Sequence, residues 1–139
     1  MTLREALVAI NPATGLTMGH YPVLSLNEVD ASVLGCHQAQ KAWENVGFEQ
    51  RAELLQRLAG QLEDQREHLA RLITGEMGKP LAQAEAEIDK CAWVCRYFAE
   101  SGEALLRTEE IELEGSVASV VPRPLGVILA IMPWNFPFW

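Results

Sequence analysis

The sequence predicts an α/β protein, with a helical layer followed by the first strands of a sheet that this stretch of chain leaves incomplete. Three observations predict it. Apolar residues recur at helical spacing from about residue 27 to residue 105. Beyond residue 106 the period falls to two, the spacing of a strand. A continuous apolar run, Val127-Ile128-Leu129-Ala130-Ile131, then follows between Gly126 and Pro133. Runs of that kind belong to strands buried on both faces, and such strands are found in parallel sheets covered by helices. With 139 residues, 49% of them apolar and 22% charged, the chain has the make-up of one globular unit and not of a disordered or fibrous one.

The elements follow in order. Asn11-Pro12-Ala13-Thr14-Gly15 is a turn, because Pro12 fixes φ, Asn11 favours turn initiation and Gly15 allows a positive φ. Val8, Ile10, Leu16 and Met18 on either side predict a short antiparallel ribbon. Val29, Val33, Cys36 and Trp43 share one face of a helix over residues 27–45, with Asn27 or Ser25 placed to cap its start and Gly47 beyond its end. A second helix over residues 50–63 carries Ala52, Leu55, Leu58, Ala59 and Leu62 on one stripe. A third over residues 66–77 presents Leu69, Leu72, Ile73 and Met77. Gly78 and Pro80 then punctuate the chain. The fourth helix runs over residues 80–105 with Ala84, Ile88, Cys91, Cys95, Phe98 and Ala99 on its face, and Pro80 suits its first turn because the missing N–H has no helical partner there. After it, Glu110, Glu112 and Glu114 alternate with Ile111 and Leu113, the pattern of a half-buried strand, and residues 116–121 are rich in β-branched and small side chains.

Charge and composition exclude several function classes. The net charge is −8, and an acidic chain lacks the Lys/Arg surface that phosphate backbones and anionic membranes require. Nucleic acid and membrane are therefore not expected partners. The longest uncharged stretch, residues 124–139, is 16 residues with three prolines, too short and too interrupted to span a bilayer. No targeting segment is visible, and the three cysteines are an odd number, so a reducing cytoplasm is the expected setting. Residues 115–139 hold one charged side chain, Arg123, and end in a cluster of aromatics. Such an end is expected to need a covering surface from sequence beyond it.

Few residues carry chemistry by type and spacing. Gly75-Glu76-Met77-Gly78-Lys79-Pro80 lacks both the upstream Gly and the Ser/Thr of a phosphate loop, so it reads as a helix–turn–helix corner. Cys91 and Cys95 sit one helical turn apart on the apolar stripe and read as buried structural thiols; a metal would need two more ligands, and none is spaced for it. His20, His37 and His68 are isolated, and the acids at Glu109 to Glu114 read as a solvated face. The loop after the apolar run differs. Ligands of α/β folds bind outside the carboxyl ends of strands. There Met132-Pro133-Trp134-Asn135-Phe136-Pro137 sets an amide donor between two aromatics on a backbone stiffened by proline. Such an amide suits a developing oxyanion; it equally suits a turn closed by a side-chain-to-backbone hydrogen bond.

Pro133-Trp134-Asn135-Phe136-Pro137, preceded by Pro124-Leu125-Gly126-Val127, resembles the aldehyde dehydrogenase superfamily. Asn11-Pro12-Ala13-Thr14-Gly15, the helix of residues 39–43 and Glu76-Met77-Gly78-Lys79-Pro80 agree with it in order and spacing. The segment Met132-Pro133-Trp134-Asn135-Phe136-Pro137-Phe138-Trp139 is most similar to bacterial succinate-semialdehyde dehydrogenases. The resemblance implies oxidation of a small aldehyde, succinate semialdehyde foremost, through a thiohemiacetal, with NAD or NADP as cofactor, no metal, and a homo-oligomer as the complete enzyme. It implies that residues 1–105 form the helical part of the cofactor domain. Residues 106–124 become a strand of the oligomerisation ribbon, and residues 125–139 the entry strand and its loop. It further implies that Ile131, Met132, Pro133 and Trp134 border the cofactor, that Asn135 donates to the oxyanion and that Phe136 lines the aldehyde tunnel. The family's nucleophilic Cys and general-base Glu lie downstream of this motif, so the chain is expected to be an N-terminal part, inactive alone. The competing expectation is a small helical interaction module whose apolar tail binds a partner protein.

Overall fold

A computed structural model describes residues 6–139. The element order is β1 (Ala6–Ile10), β2 (Thr17–Pro22), α1 (Leu26–Trp43), α2 (Phe48–Asp64), α3 (Arg66–Met77), α4 (Leu81–Leu105), β3 (Glu109–Leu113) and β4 (Ser116–Val120). β1 and β2 form the predicted antiparallel ribbon, with Leu7 opposite Tyr21 and a register irregularity at Ala9/Ile10. Its turn is closed as the sequence requires: Asn11 Oδ1 accepts from the Ala13 N–H at 2.9 Å, and Gly15 has φ 71°.

The helices nucleate where their caps lie. Ser25 caps α1 in a reciprocal capping box with Glu28. Gly78, at φ 76°, closes α3 in the left-handed conformation that a side chain resists. Two predicted boundaries shift. Pro80 is the N-cap of α4 and not part of its first turn: its ψ of 135° is extended, and the helix starts with Leu81. Gly47 is the N-cap of α2, while α1 ends on Glu44.

α4 is the axis of the molecule, and α2 and α3 pack along it. The core is a single cluster of Ala59, Leu62, Ala70, Ile73, Ala84, Ile88, Cys91 and Ala92. Its many alanines bring the helices close, and Ile88 is the largest side chain wholly inside. Ion pairs fasten the rim. Arg66 reaches Asp89 at 2.7 and 2.9 Å and Glu85 at 3.2 Å, and Arg96 joins Glu63 and Gln56 from α4 to α2. These exposed pairs set register and add little stability.

Three expectations about burial are corrected. The stripe of α1 is not covered by the described residues: Val29, Val33 and Trp43 are about half exposed. β3 and β4 pair as a hairpin around Gly115, but β3 is exposed along its whole length and not half-buried, because none of the described residues forms a layer beneath it. Residues 127–131 form no strand, and Leu129 and Ile131 are each 84% exposed. An apolar run predicts a willingness to be buried; a strand also needs a neighbour to take its N–H and C=O groups, and none lies beside this segment among the described residues.

Candidate functional site

The site is the loop at residues 131–139, laid across the corner where α3 turns into α4. Pro133 and Pro137 limit its backbone, and a turn closes when the Phe136 N–H donates to the Pro133 carbonyl at 3.2 Å. Trp134, Pro137 and Phe138 face α3 across a cavity of about 290 Å³ lined by Leu72, Ile73, Glu76 and Met77.

The corner beneath is built from both early motifs. Pro12 of the first turn lies over Gly78, where an added Cβ would stand 3.2 Å from the proline Cγ. Met18 of β2 packs on Gly75, and the Tyr21 hydroxyl donates to Glu76 Oε1 at 3.2 Å. Two segments about sixty residues apart in sequence thus fix one corner. From that corner Lys79 turns inward, and its Nζ ion-pairs with Glu87 Oε2. Both side chains are buried, with 8% and 1% of their surface exposed.

That pair holds the loop. Glu87 Oε1 accepts the Phe138 N–H at 2.9 Å and the Trp139 N–H at 3.2 Å. Lys79 Nζ stands 3.9 Å over the Phe136 ring, and Lys90 Nζ lies 3.9 Å over the Trp139 ring. Burial pushes the Glu87 carboxyl up. The Lys79 hydrogen bond, the two backbone N–H groups and the Lys79 charge outweigh it and leave the carboxyl below its ordinary range.

Asn135 sits at the crest of the turn, exposed, and its side-chain amide makes no hydrogen bond among the described residues. The side-chain-to-backbone bond of a turn asparagine is not formed here. Asn11 shows what such a residue does, since its Oδ1 takes two backbone N–H groups. Phe136 is 44% exposed over Lys79, and Trp134 is 78% exposed. The structure thus brings Trp134, Asn135 and Phe136 together on one turn. Ile131 and Met132 lead into it, exposed, with their main-chain groups outside any ladder. Ile131, Met132 and Trp134, expected with Pro133 to border a cofactor, present exposed apolar side chains, while the Pro133 carbonyl is taken by the turn. Residues 124–139 contain no cation for the phosphates of a dinucleotide.

The remaining candidates stay structural. Cys91 is buried and Cys95 partly buried. Burial pushes both thiols up; Glu87 and Cys95 add to the shift at Cys91. Burial thus disfavours the thiolate, the reactive form, at both. The corner at residues 75–80 is the helix–turn–helix turn expected of it. What sequence reasoning missed was Lys79 and Glu87. The signal was present: Glu87 lies three residues after Ala84 and four before Cys91, a carboxylate on the buried stripe of α4. No group of three or more His, Cys, Asp or Glu that could hold a metal occurs among the described residues, and no helix there is long and apolar enough to cross a membrane.

Residues 2–139 match the family model for the aldehyde dehydrogenase family. The chain belongs to that family. Among curated relatives, a Synechocystis protein named "Probable succinate-semialdehyde dehydrogenase NADP(+)" is 42% identical over 134 residues, covering 96% of this chain. The succinate semialdehyde dehydrogenase Sad of Escherichia coli, named as using NAD(P)+, is 39% identical over 141 aligned positions and covers the whole chain. The chain spans about 30% of the length of each. Among solved structures, the succinic semialdehyde dehydrogenase of Streptococcus pyogenes in complex with NADP+ superposes with a TM-score of 0.89 at 28% identity, covering 94% of this chain and 29% of that one. The NADP-dependent glyceraldehyde-3-phosphate dehydrogenase of Bacillus halodurans gives 0.87 at 35% identity, covering 96% and 29%. The α/β fold of this aldehyde dehydrogenase segment is therefore shared with complete members of the family.

Proposed function

We propose that this segment is the N-terminal part of an NAD(P)-dependent aldehyde dehydrogenase that oxidises a small aldehyde, succinate semialdehyde foremost, to its carboxylate. The observation that carries the reading is Asn135: an amide donor on a proline-stiffened turn, pinned by its neighbours and left unbonded itself. A donor held in place and closed off from water costs little reorganisation when charge develops in front of it, and the rest of the enzyme would close this one off. As a thiolate adds to an aldehyde, the carbonyl oxygen becomes an oxyanion, and the Asn135 N–H bond to it strengthens at that moment. Phe136 forms one wall of the aldehyde's approach. Ile131, Met132, Pro133 and Trp134 offer a flat apolar face and main-chain groups to a nicotinamide dinucleotide, which accepts a hydride when bound.

The thiolate and the general base come from downstream sequence, since Cys36, Cys91 and Cys95 all precede the motif. In the complete protein residues 1–105 belong to the cofactor domain. Residues 106–124, with the β3–β4 hairpin, contribute to an oligomerisation ribbon, and residues 127–131 gain the strand partner they lack here. The names of the Synechocystis and Escherichia coli relatives favour succinate semialdehyde as the substrate.

The test joins residues 1–139 in frame to the remainder of the Escherichia coli relative. The soluble fusion is expected to reduce NAD(P) with succinate semialdehyde, and residues 1–139 alone are expected to give no turnover above a buffer blank. Aldehyde oxidation that copurifies with residues 1–139 alone, or a folded fusion inert toward every small aldehyde, overturns the proposal.

A further inference from the structure

We infer that the buried Lys79–Glu87 pair is a positioning clamp that sets the orientation of the Asn135 amide; the inference rests on the oxyanion role proposed for Asn135. Three anchors converge on the five residues that follow Trp134. Lys79 holds the ring of Phe136, one residue beyond Asn135, at 3.9 Å. Glu87 holds the N–H groups of Phe138 and Trp139, three and four residues beyond it, at 2.9 and 3.2 Å. The same carboxylate pairs with the same ammonium, so all three contacts depend on one buried ion pair. Between the anchors the turn bond from Phe136 to Pro133 leaves Asn135 little freedom. No hydrogen bond of Asn135 itself fixes the amide among the described residues; these neighbours place the backbone that carries it.

The chemistry of the pair suits the task. A buried carboxylate needs all its lone pairs engaged, and this one spends one oxygen on Lys79 and the other on two backbone donors. Losing either partner leaves the other charge buried and unpaired, so the two act as one unit. A catalytic donor must be held within about 0.5 Å of its productive place. A misplacement of about 1 Å costs on the order of 10²-fold in rate. Lys79 and Glu87 act through the loop they hold, so they are positioning residues.

The test uses the fused dehydrogenase described above. Glu87→Ala is expected to lower kcat by about 10²-fold with little change in the KM for aldehyde. It is also expected to remove the amide-exchange protection of Phe138 and Trp139. Because deletion of one partner endangers folding, the paired variant Glu87→Gln with Lys79→Met provides a second arm. Its amide oxygen still accepts both N–H groups, the thioether at position 79 still packs on the Phe136 ring, and no charge is left unpaired, so protection returns and kcat recovers at least tenfold relative to Glu87→Ala, on the order of what a restored donor geometry is worth. In an Asn135→Ala background, Glu87→Ala is expected to cost nothing further in kcat, since a clamp acts only through the group it aims. Three results overturn the clamp while leaving the role of Asn135 intact: a folded Glu87→Ala enzyme with unchanged kcat, a paired variant that restores protection but not rate, or full additivity with Asn135→Ala. An Asn135→Ala enzyme with unchanged kcat overturns the oxyanion role and the clamp with it.

Discussion

Gly78→Ala tests whether the first turn and the α3–α4 corner form one unit. Gly78 has φ 76°, and a Cβ there would stand 3.2 Å from Pro12 Cγ. An L-residue in the left-handed region costs about 1–2 kcal/mol. The stiffer unfolded chain returns about 0.4–1 kcal/mol. Backbone strain alone therefore predicts a loss of about 1 kcal/mol, and the proline contact adds about 1 kcal/mol more, at the low end of overpacking. Gly115 is the internal control: its φ is 81°, and nothing lies within 4 Å of an added Cβ. Gly115→Ala should then lose about 1 kcal/mol. Urea unfolding followed by circular dichroism gives both values, with constant slopes showing that the unfolded state has not changed. Adding Pro12→Ala should recover the excess at Gly78 and nothing at Gly115. Equal losses at the two glycines, with no recovery on removing Pro12, would refute the contact between the motifs.

Three further outcomes are expected. The Glu87 carboxyl lies below its ordinary range in the folded chain, so its stabilising contribution is full above the unfolded carboxylate pKa and is lost as pH falls through the lower folded value. Amide protection at Phe138 and Trp139, whose N–H groups the carboxylate accepts, should therefore fade with acid. Glu87→Gln should remove this slope, and an unchanged slope would place the titration elsewhere. Thiol reagents at neutral pH should modify exposed Cys36 first and Cys91 and Cys95 slowly, because burial pushes the latter two up; mass spectrometry of partial labelling reads the order, and rapid labelling of Cys91 would contradict the core. Removing residues 125–139 should raise the solubility of the chain, since Leu125 is 90% exposed and Leu129 and Ile131 are 84% exposed; light scattering that does not fall on deletion would acquit the segment.

Local signals were legible where the physics is local. The third helix was read to the residue, because Gly78 supplies a stop that no other residue makes as cheaply. Asn11, Pro12 and Gly15 fixed the first turn for the same reason. Burial was legible only where the covering layer is part of this segment. The middle of the α2 and α4 stripes found its partner, although Leu58 and Phe98 on them stay about half exposed, while the equally apolar stripe of α1 and the run at residues 127–131 did not. At the site, Asn135 could be singled out because two prolines and two aromatics frame it. Its clamp is legible only in part: Glu87 falls on the apolar stripe of α4, while nothing in the sequence marks Lys79 as its partner until α3 and α4 fold back and close them together.

Whether Asn135 serves chemistry or the fold is decided by one measurement: kcat and melting temperature of Asn135→Ala in the fused dehydrogenase. The amide makes no bond among the described residues, so its removal should leave the melting temperature nearly unchanged. Loss of one oxyanion donor typically costs about 10²–10³-fold in rate, roughly 2.7–4 kcal/mol, and kcat should fall by that amount. A near-normal kcat with a lowered melting temperature would contradict a part in chemistry and return Asn135 to the role of a turn residue.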